Sequence, residues 1–277
     1  MTTTRTALVT GASSGIGRAT ARLLRERGYA VVGTSRHPEQ IPEGQLLDGV
    51  LYRSLDLGDS DAVAGFLSQS VAEGHRFDVL VNNAGESQSG PLEDLPREAL
   101  ERLFQVNVLG PIQLTQAILP GMRERRDGRV VMIGSMLASF PLAYRSSYVA
   151  SKAALKGFAT AARFEMSPFG VWLTTVEPGS INTGISERRT KYIAADSPHD
   201  EAFHRMLHIL DGNEREGITA SRVAQAVVGA IEARRPAPLY AVGSKAPAVF
   251  ALQRALPGSL VERMIARAYG IATGPGK

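Results

Sequence analysis

Tyr148 and Lys152 stand four residues apart in a stretch with helical spacing, so both side chains fall on one face of a helix. A free tyrosine titrates near ~10, too high for a base at neutral pH. An adjacent ammonium favours the phenolate and lowers that value. A tyrosine tuned in this way can pass a proton to or from a carbonyl or alcohol oxygen. Only five of the chain's 31 basic residues are lysines. With seven tyrosines, chance alone would supply about 0.13 such pairs. Ser135 lies at the end of an apolar, β-branched run, where its hydroxyl could hold a substrate oxygen, although serine is common nearby.

A second cluster reads as a phosphate site. The first apolar run ends in Thr10 and is followed by Gly11-Ala12-Ser13-Ser14-Gly15-Ile16-Gly17 and then a helical pattern. Glycines permit a sharp turn and close backbone approach, and a helix N-terminus offers free N–H groups to an anion. After the first strand of an open α/β sheet, this is where a dinucleotide pyrophosphate binds. The second strand ends Gly33-Thr34-Ser35-Arg36-His37, with no carboxylate before Glu39. An acid there would favour NAD, whereas Arg36, with Ser13 beside it, suits the 2′-phosphate of NADP.

These residues need a scaffold, and the chain alternates strand-like and helix-like segments throughout. Strands are predicted at Ala7–Thr10, Ala30–Thr34, Val50–Ser54, Val79–Asn82, Val130–Gly134, Val171–Val176 and Leu239–Val242. Helices are predicted at about 16–27, 60–73, 97–119, 147–166 and 221–234. Continuous apolar strands between helices imply an α/β fold: one Rossmann-type, doubly wound parallel sheet of about seven strands with helices on both faces. The 277 residues, 44% hydrophobic and 21% charged, fit one globular domain over 1–277. The absence of cysteine excludes disulfides and thiolate metal sites. Five scattered histidines without metal-ligand spacing make a metal site unexpected. No signal-peptide pattern and no long uncharged apolar stretch occur, so a cytoplasmic protein is expected. No basic run interleaved with aromatics suggests nucleic-acid binding.

Taken together, the motifs resemble the classical short-chain dehydrogenase/reductase family, in its NADP-preferring type, over about residues 5–243. Thr10 to Gly17 resembles the family's TGxxxGxG loop. The resemblance implies that Asp56 and Leu57 contact adenine, and that Asn83, Ala84 and Gly85 of an NNAG turn touch the cofactor. Asn107 matches the asparagine that completes a proton relay through water and the lysine. Ser135, Tyr148 and Lys152 match the catalytic serine, tyrosine and lysine, and Lys152 would also hold the ribose. Pro178, Gly179, Ile181 and Thr183 resemble the segment around the nicotinamide. The activity implied is interconversion of a carbonyl compound and its alcohol with NADP(H), preferred over NAD(H). A homodimer or homotetramer on helices 97–119 and 147–166 is implied as well.

Substrate recognition is expected between the serine and the tyrosine, from Met136, Phe140 and Tyr144. That stretch is largely apolar and suggests an apolar ketone, aldehyde or secondary alcohol, although Phe140 also reads as core. Ser180–Gly217 has no strand candidate and reads as a substrate lid, with Ile185, Phe203, Met206, Leu207 and Leu210 as its apolar face. A C-terminal extension, 244–277, carries two apolar-and-basic helical patterns broken at Pro257-Gly258. Such a tail more often packs on its own domain or a partner subunit; contact with a membrane surface is the alternative. Fold does not fix function, so a non-catalytic NADP-binding sensor is the competing class. The intact Ser135, Tyr148 and Lys152 argue against it.

Overall fold

The computed structural model describes residues 4–272. Seven parallel strands form its central sheet: β1 (Thr6–Val9), β2 (Ala30–Ser35), β3 (Val50–Ser54), β4 (Val79–Asn82), β5 (Gly128–Ile133), β6 (Val171–Pro178) and β7 (Leu239–Val242). Their order is β7-β6-β5-β4-β1-β2-β3. The expected α/β sheet, doubly wound with helices on both faces, is therefore present.

The period of two along each strand explains the continuous apolar runs. Leu8, Leu80, Val130 and Met132 point to one face. Ala7, Val9, Val79, Val81, Val131 and Ile133 point to the other. Both faces are covered. Helices α2 (Ser60–Ala72), α4 (Gly110–Arg125) and α5 (Ser146–Met166) meet the first through Phe66, Leu114, Met122 and Leu155. Helices α1 (Gly15–Glu26) and α7 (Ala220–Glu232) meet the second through Leu24, Val223, Val227 and Ile231. No polar face is left for the strands to present, so alternation is absent from the sequence.

Two segments differ from expectation. The helix expected at 97–119 is α3 (Arg97–Phe104), a π-helical turn at Gln105–Leu109, and α4, which continues past Pro120 to Arg125. The lid region is not irregular. It holds helix α6 (Asp200–Arg215) and two short strands, Ile181–Asn182, paired with Ile218–Thr219, and Thr190–Lys191, paired with Gln88–Ser89. Phe203, Met206, Leu207 and Leu210 follow the helical i, i+3, i+4, i+7 repeat and bury together with Leu142. The tail forms the two expected helices, α8 (Ala246–Ala255) and α9 (Gly258–Ala268), separated at Pro257; residues 273–277 lie outside the described part. No helix among the described residues is long and apolar enough to cross a membrane.

Candidate active site

Strand β1 has β2 on one side and β4 on the other, so the crossovers diverge there and leave a crevice at the carboxyl edge of the sheet. A cavity of about 700 Å³ runs along that edge. Most of the residues singled out above border it. Gly11, Ser13, Ser14, Gly15 and Ile16 form one end, with Arg36, Asp56 and Leu57 beside them. Asn83, Ala84 and Gly85 lie midway, and Ser135, Tyr148 and Lys152 follow. Pro178, Gly179, Ile181 and Thr183 cover the top, while Met136 and Phe140 belong to the inner wall.

The glycine loop is shaped for an anion. Ser14 caps α1 without a side-chain hydrogen bond, and no acidic residue occupies the first turn. The helix thus presents free N–H groups and its positive end to the cavity. Gly17 does not border the cavity but lies under the loop, where a Cβ would sit 2.2 Å from the Gly11 carbonyl oxygen. Thr10 ties loop and NNAG turn together, its hydroxyl accepting from the N–H groups of Asn83 and Ala84, both at 2.9 Å. Asn83 Nδ2 donates to the Thr10 carbonyl at 2.9 Å. The donor set and the glycine cradle fit the pyrophosphate of a nicotinamide dinucleotide. Arg36 is exposed and faces Glu86 Oε1 across 3.6 Å, and Glu86 is also paired with Arg102.

At the chemical end, Ser135 lies two residues beyond β5, and its Oγ accepts from the Leu137 N–H at 3.2 Å. Tyr148 is buried and borders the cavity together with Ser135. Lys152 Nζ donates to the Ile133 carbonyl at 2.9 Å and lies 5.9 Å from the centre of the Tyr148 ring. Burial draws the Lys152 ammonium down to about 8. Asn107 is outside the cavity wall but close behind it. The π-helical turn directs its side chain inward, where Nδ2 donates to the Glu86 carbonyl at 3.0 Å and to Ser151 Oγ at 3.1 Å, and Oδ1 accepts from Glu86 N–H at 2.8 Å. Asn107 and Lys152 converge on Gly85: a Cβ there would be 3.0 Å from Asn107 Oδ1 and 3.5 Å from Lys152 Nζ.

Three expectations need correction. The first concerns Tyr148, whose proton affinity Lys152 was expected to lower. Burial dominates and pushes the hydroxyl up, and the cation that most opposes this is Arg145, not Lys152. The second concerns Tyr144, which does not border the cavity. It has φ of 63°, rare for a bulky residue, and its ring packs edge-on against His199 and Phe203, each 5.7 Å away. The third concerns the lid. Ile185 and Leu210 border the cavity, but Phe203, Met206 and Leu207 are spent on packing α6.

Other lining residues come from places that spacing did not indicate. Arg145 and Glu214 form part of the wall near Tyr148. The tail contributes Val249, Ile265 and Tyr269. Phe250 of α8 packs edge-on against Phe140 at 5.0 Å, and Gln253 Nε2 donates to the Ser139 carbonyl at 2.8 Å. Thus the tail's inner face packs on its own domain, while Leu252, Leu260 and Met264 stay exposed. Phe140 is both core and pocket wall.

Comparison with known proteins agrees with this layout. Residues 5–193 match the family model described as short chain dehydrogenase. A 3-ketodihydrosphingosine reductase of Bacteroides thetaiotaomicron is 32% identical over 268 residues, covering 95% of this chain and 97% of that protein. A short-chain dehydrogenase from Streptomyces avermitilis superposes with a TM-score of 0.82 at 31% identity, covering 96% of this chain and 98% of its own. A closed form of serine dehydrogenase complexed with NADP+ gives a TM-score of 0.73 at 28% identity, over 87% of this chain and 95% of that one.

Proposed function

The chain belongs to the short-chain dehydrogenase family, and from that premise we propose that it is an NADP(H)-dependent oxidoreductase interconverting an apolar ketone or aldehyde and the corresponding alcohol. The observation that carries this reading is the placement of Ser135, Tyr148 and Lys152 in the same cavity as the glycine loop. When bound, the nicotinamide would supply or accept the hydride.

Each residue has a task set by its position. The α1 N-terminus and Gly11 to Ile16 would hold the pyrophosphate. Arg36 and Ser13 would hold the 2′-phosphate, with no carboxylate at the end of β2 to repel it. Lys152 would hold the ribose hydroxyls. Ser135 donates a hydrogen bond to the substrate oxygen, and Tyr148 transfers the proton to it. Asn107, joined to the Glu86 backbone and converging with Lys152 on Gly85, supports resupply of that proton. Met136, Phe140, Leu142, Val249 and Ile265 offer an apolar wall, which suits an apolar substrate. The reductase from Bacteroides thetaiotaomicron is named for a ketone substrate, in keeping with this direction. The exposed Phe158 and Phe164 of α5 favour a homodimer or homotetramer built on that helix.

The test follows NADPH and NADH oxidation against a panel of apolar ketones and aldehydes. NADPH-dependent turnover is expected, and Tyr148→Phe is expected to lower kcat by roughly 10²–10⁴-fold with NADPH binding retained. Normal turnover by Tyr148→Phe sinks the acid–base assignment, and a clear NADH preference sinks the role of Arg36.

A further inference from the structure

Arg145 lies one residue before α5 and three before Tyr148. It is 2% exposed, and its guanidinium carbon stands 4.3 Å from the centre of the Tyr148 ring. Three hydrogen bonds from Nη1 hold it: to Ser87 Oγ at 3.1 Å, the Gln88 carbonyl at 3.0 Å and Ser89 Oγ at 2.9 Å. All three acceptors are neutral, and Nε is buried without a partner. The contrast is with Arg189, equally buried, whose guanidinium pairs with Asp211 and Glu214 of α6. Among the described residues, none of the ion pairs found includes Arg145.

A buried cation held only by neutral groups is costly, and its cost falls when an anion forms next to it. Proton transfer from Tyr148 makes such an anion, a phenolate whose ring the guanidinium already covers. On the reading of Tyr148 as the acid and base, we propose that Arg145 is a positioning residue for the reaction, its stacked guanidinium stabilising the Tyr148 phenolate alongside the ammonium of Lys152. Tyr148 loses one proton to the substrate oxygen, and the electron pair left on its oxygen delocalises into the ring that Arg145 covers.

The other charges around the ring have known positions. Lys152 lies on the same helix at 5.9 Å. From the lid, Arg189 also favours the phenolate, while Glu214 of α6 opposes it. Arg145 itself is opposed by Arg189 and favoured by Glu214 and Asp211, and Tyr269 of the tail also faces it. Glu214 and Asp211 act on Arg145 from a distance, but the ion pairs they form are with Arg189. The cradle is joined to the lid as well, because Gln88–Ser89 pairs with Thr190–Lys191 next to Arg189.

A phenolate absorbance titration of the full chain with NADP+ tests this without turnover. Subtracting Tyr148→Phe isolates Tyr148 from the other tyrosines, and the same subtraction is made in an Arg145→Gln background. Arg145→Gln is expected to raise the titration midpoint of Tyr148 by about one pH unit or more. Arg145→Lys, which keeps the charge, is expected to recover most of that shift. Ser89→Ala, a milder change that loosens the guanidinium, is expected to move the midpoint the same way by less. An unmoved midpoint in whichever of the Gln and Ala variants folds overturns the proposal, as does the absence of a Tyr148 phenolate below pH ~11 in the NADP+ complex. If instead Arg145→Gln changes only the KM of anionic substrates, the guanidinium binds substrate and the proposal is wrong. Normal turnover by Tyr148→Phe would sink the acid–base reading separately, leaving the midpoint shift still measurable.

Discussion

Replacing Gly17 by alanine adds one methyl group beneath the phosphate loop. The new Cβ would stand 2.2 Å from the Gly11 carbonyl oxygen, 2.4 Å from Asn83 Nδ2 and 2.8 Å from the Gly11 carbonyl carbon. Relief to ordinary contact needs about 1 Å of movement between α1 and the loop, and two of the three atoms are backbone. Asn83 cannot simply swing aside, because its Nδ2 is bound to the carbonyls of Thr10 and Gly11. Such overpacking typically costs about 1–3 kcal/mol, which for a chain of this size lowers Tm by roughly 2–10 °C. On the proposed role of the loop, the larger effect is expected on NADPH binding. Losing one well-aimed hydrogen bond to a charged phosphate costs about 1.5–3 kcal/mol, or roughly 10–100-fold in Kd. Gly65→Ala in α2 is the control, since nothing lies within 4 Å of its Cβ. That change should stabilise by about 0.5–1 kcal/mol and leave Kd alone. Fluorescence titration with NADPH and thermal melts of both variants decide the matter. An unchanged Kd and Tm for Gly17→Ala would refute the placement of the loop against α1.

Further outcomes follow from burial. Lys152 titrates at about 8 in the fold against 10.5 when unperturbed. Between these values the unfolded chain binds more protons, so this group makes stability rise with pH across that window. Relative to Lys152→Met, the wild type should gain about 3 kcal/mol from pH 8 to 10.5, read from urea melts of the cofactor-free proteins. A pH-independent difference would contradict the burial of a charged lysine. Phe203 is wholly buried at the centre of the α6 cluster. Phe203→Ala should cost about 3–5 kcal/mol of local stability, seen as faster amide exchange along α6. Because Leu210 and Glu214 of α6 border the cavity, substrate KM should rise more than NADPH Kd. Equal effects on both would mean that α6 is not a substrate wall.

Local and periodic features were legible before any fold was known. The glycine loop, the NNAG turn and the Tyr148–Lys152 spacing are each contained in a few consecutive residues. Helix geometry or a single turn then places them. The strand positions were legible for a similar reason, since a parallel sheet covered on both faces demands short, continuous apolar runs. Even α6 is written in the repeat of Phe203, Met206, Leu207 and Leu210, though charges around it disguise the pattern as an irregular insertion.

What the chain sequence by itself determined was therefore the sheet, the glycine loop and the order of the candidate site residues. The tertiary structure decided the environment in which those groups act. Arg145 looks like one more arginine in an Arg-rich chain until Ser87, Gln88 and Ser89, more than fifty residues earlier, hold its guanidinium over Tyr148. Tyr144 looks like a pocket residue until a left-handed backbone angle accompanies its packing against α6. Tail residues Val249, Ile265 and Tyr269 join the cavity only because α8 and α9 fold back over the segment after Ser135, where Phe250 meets Phe140 and Gln253 holds the Ser139 carbonyl. The physical reason is common to all three. Burial and charge at a site are sums over everything packed against it, and most of those neighbours are distant in sequence.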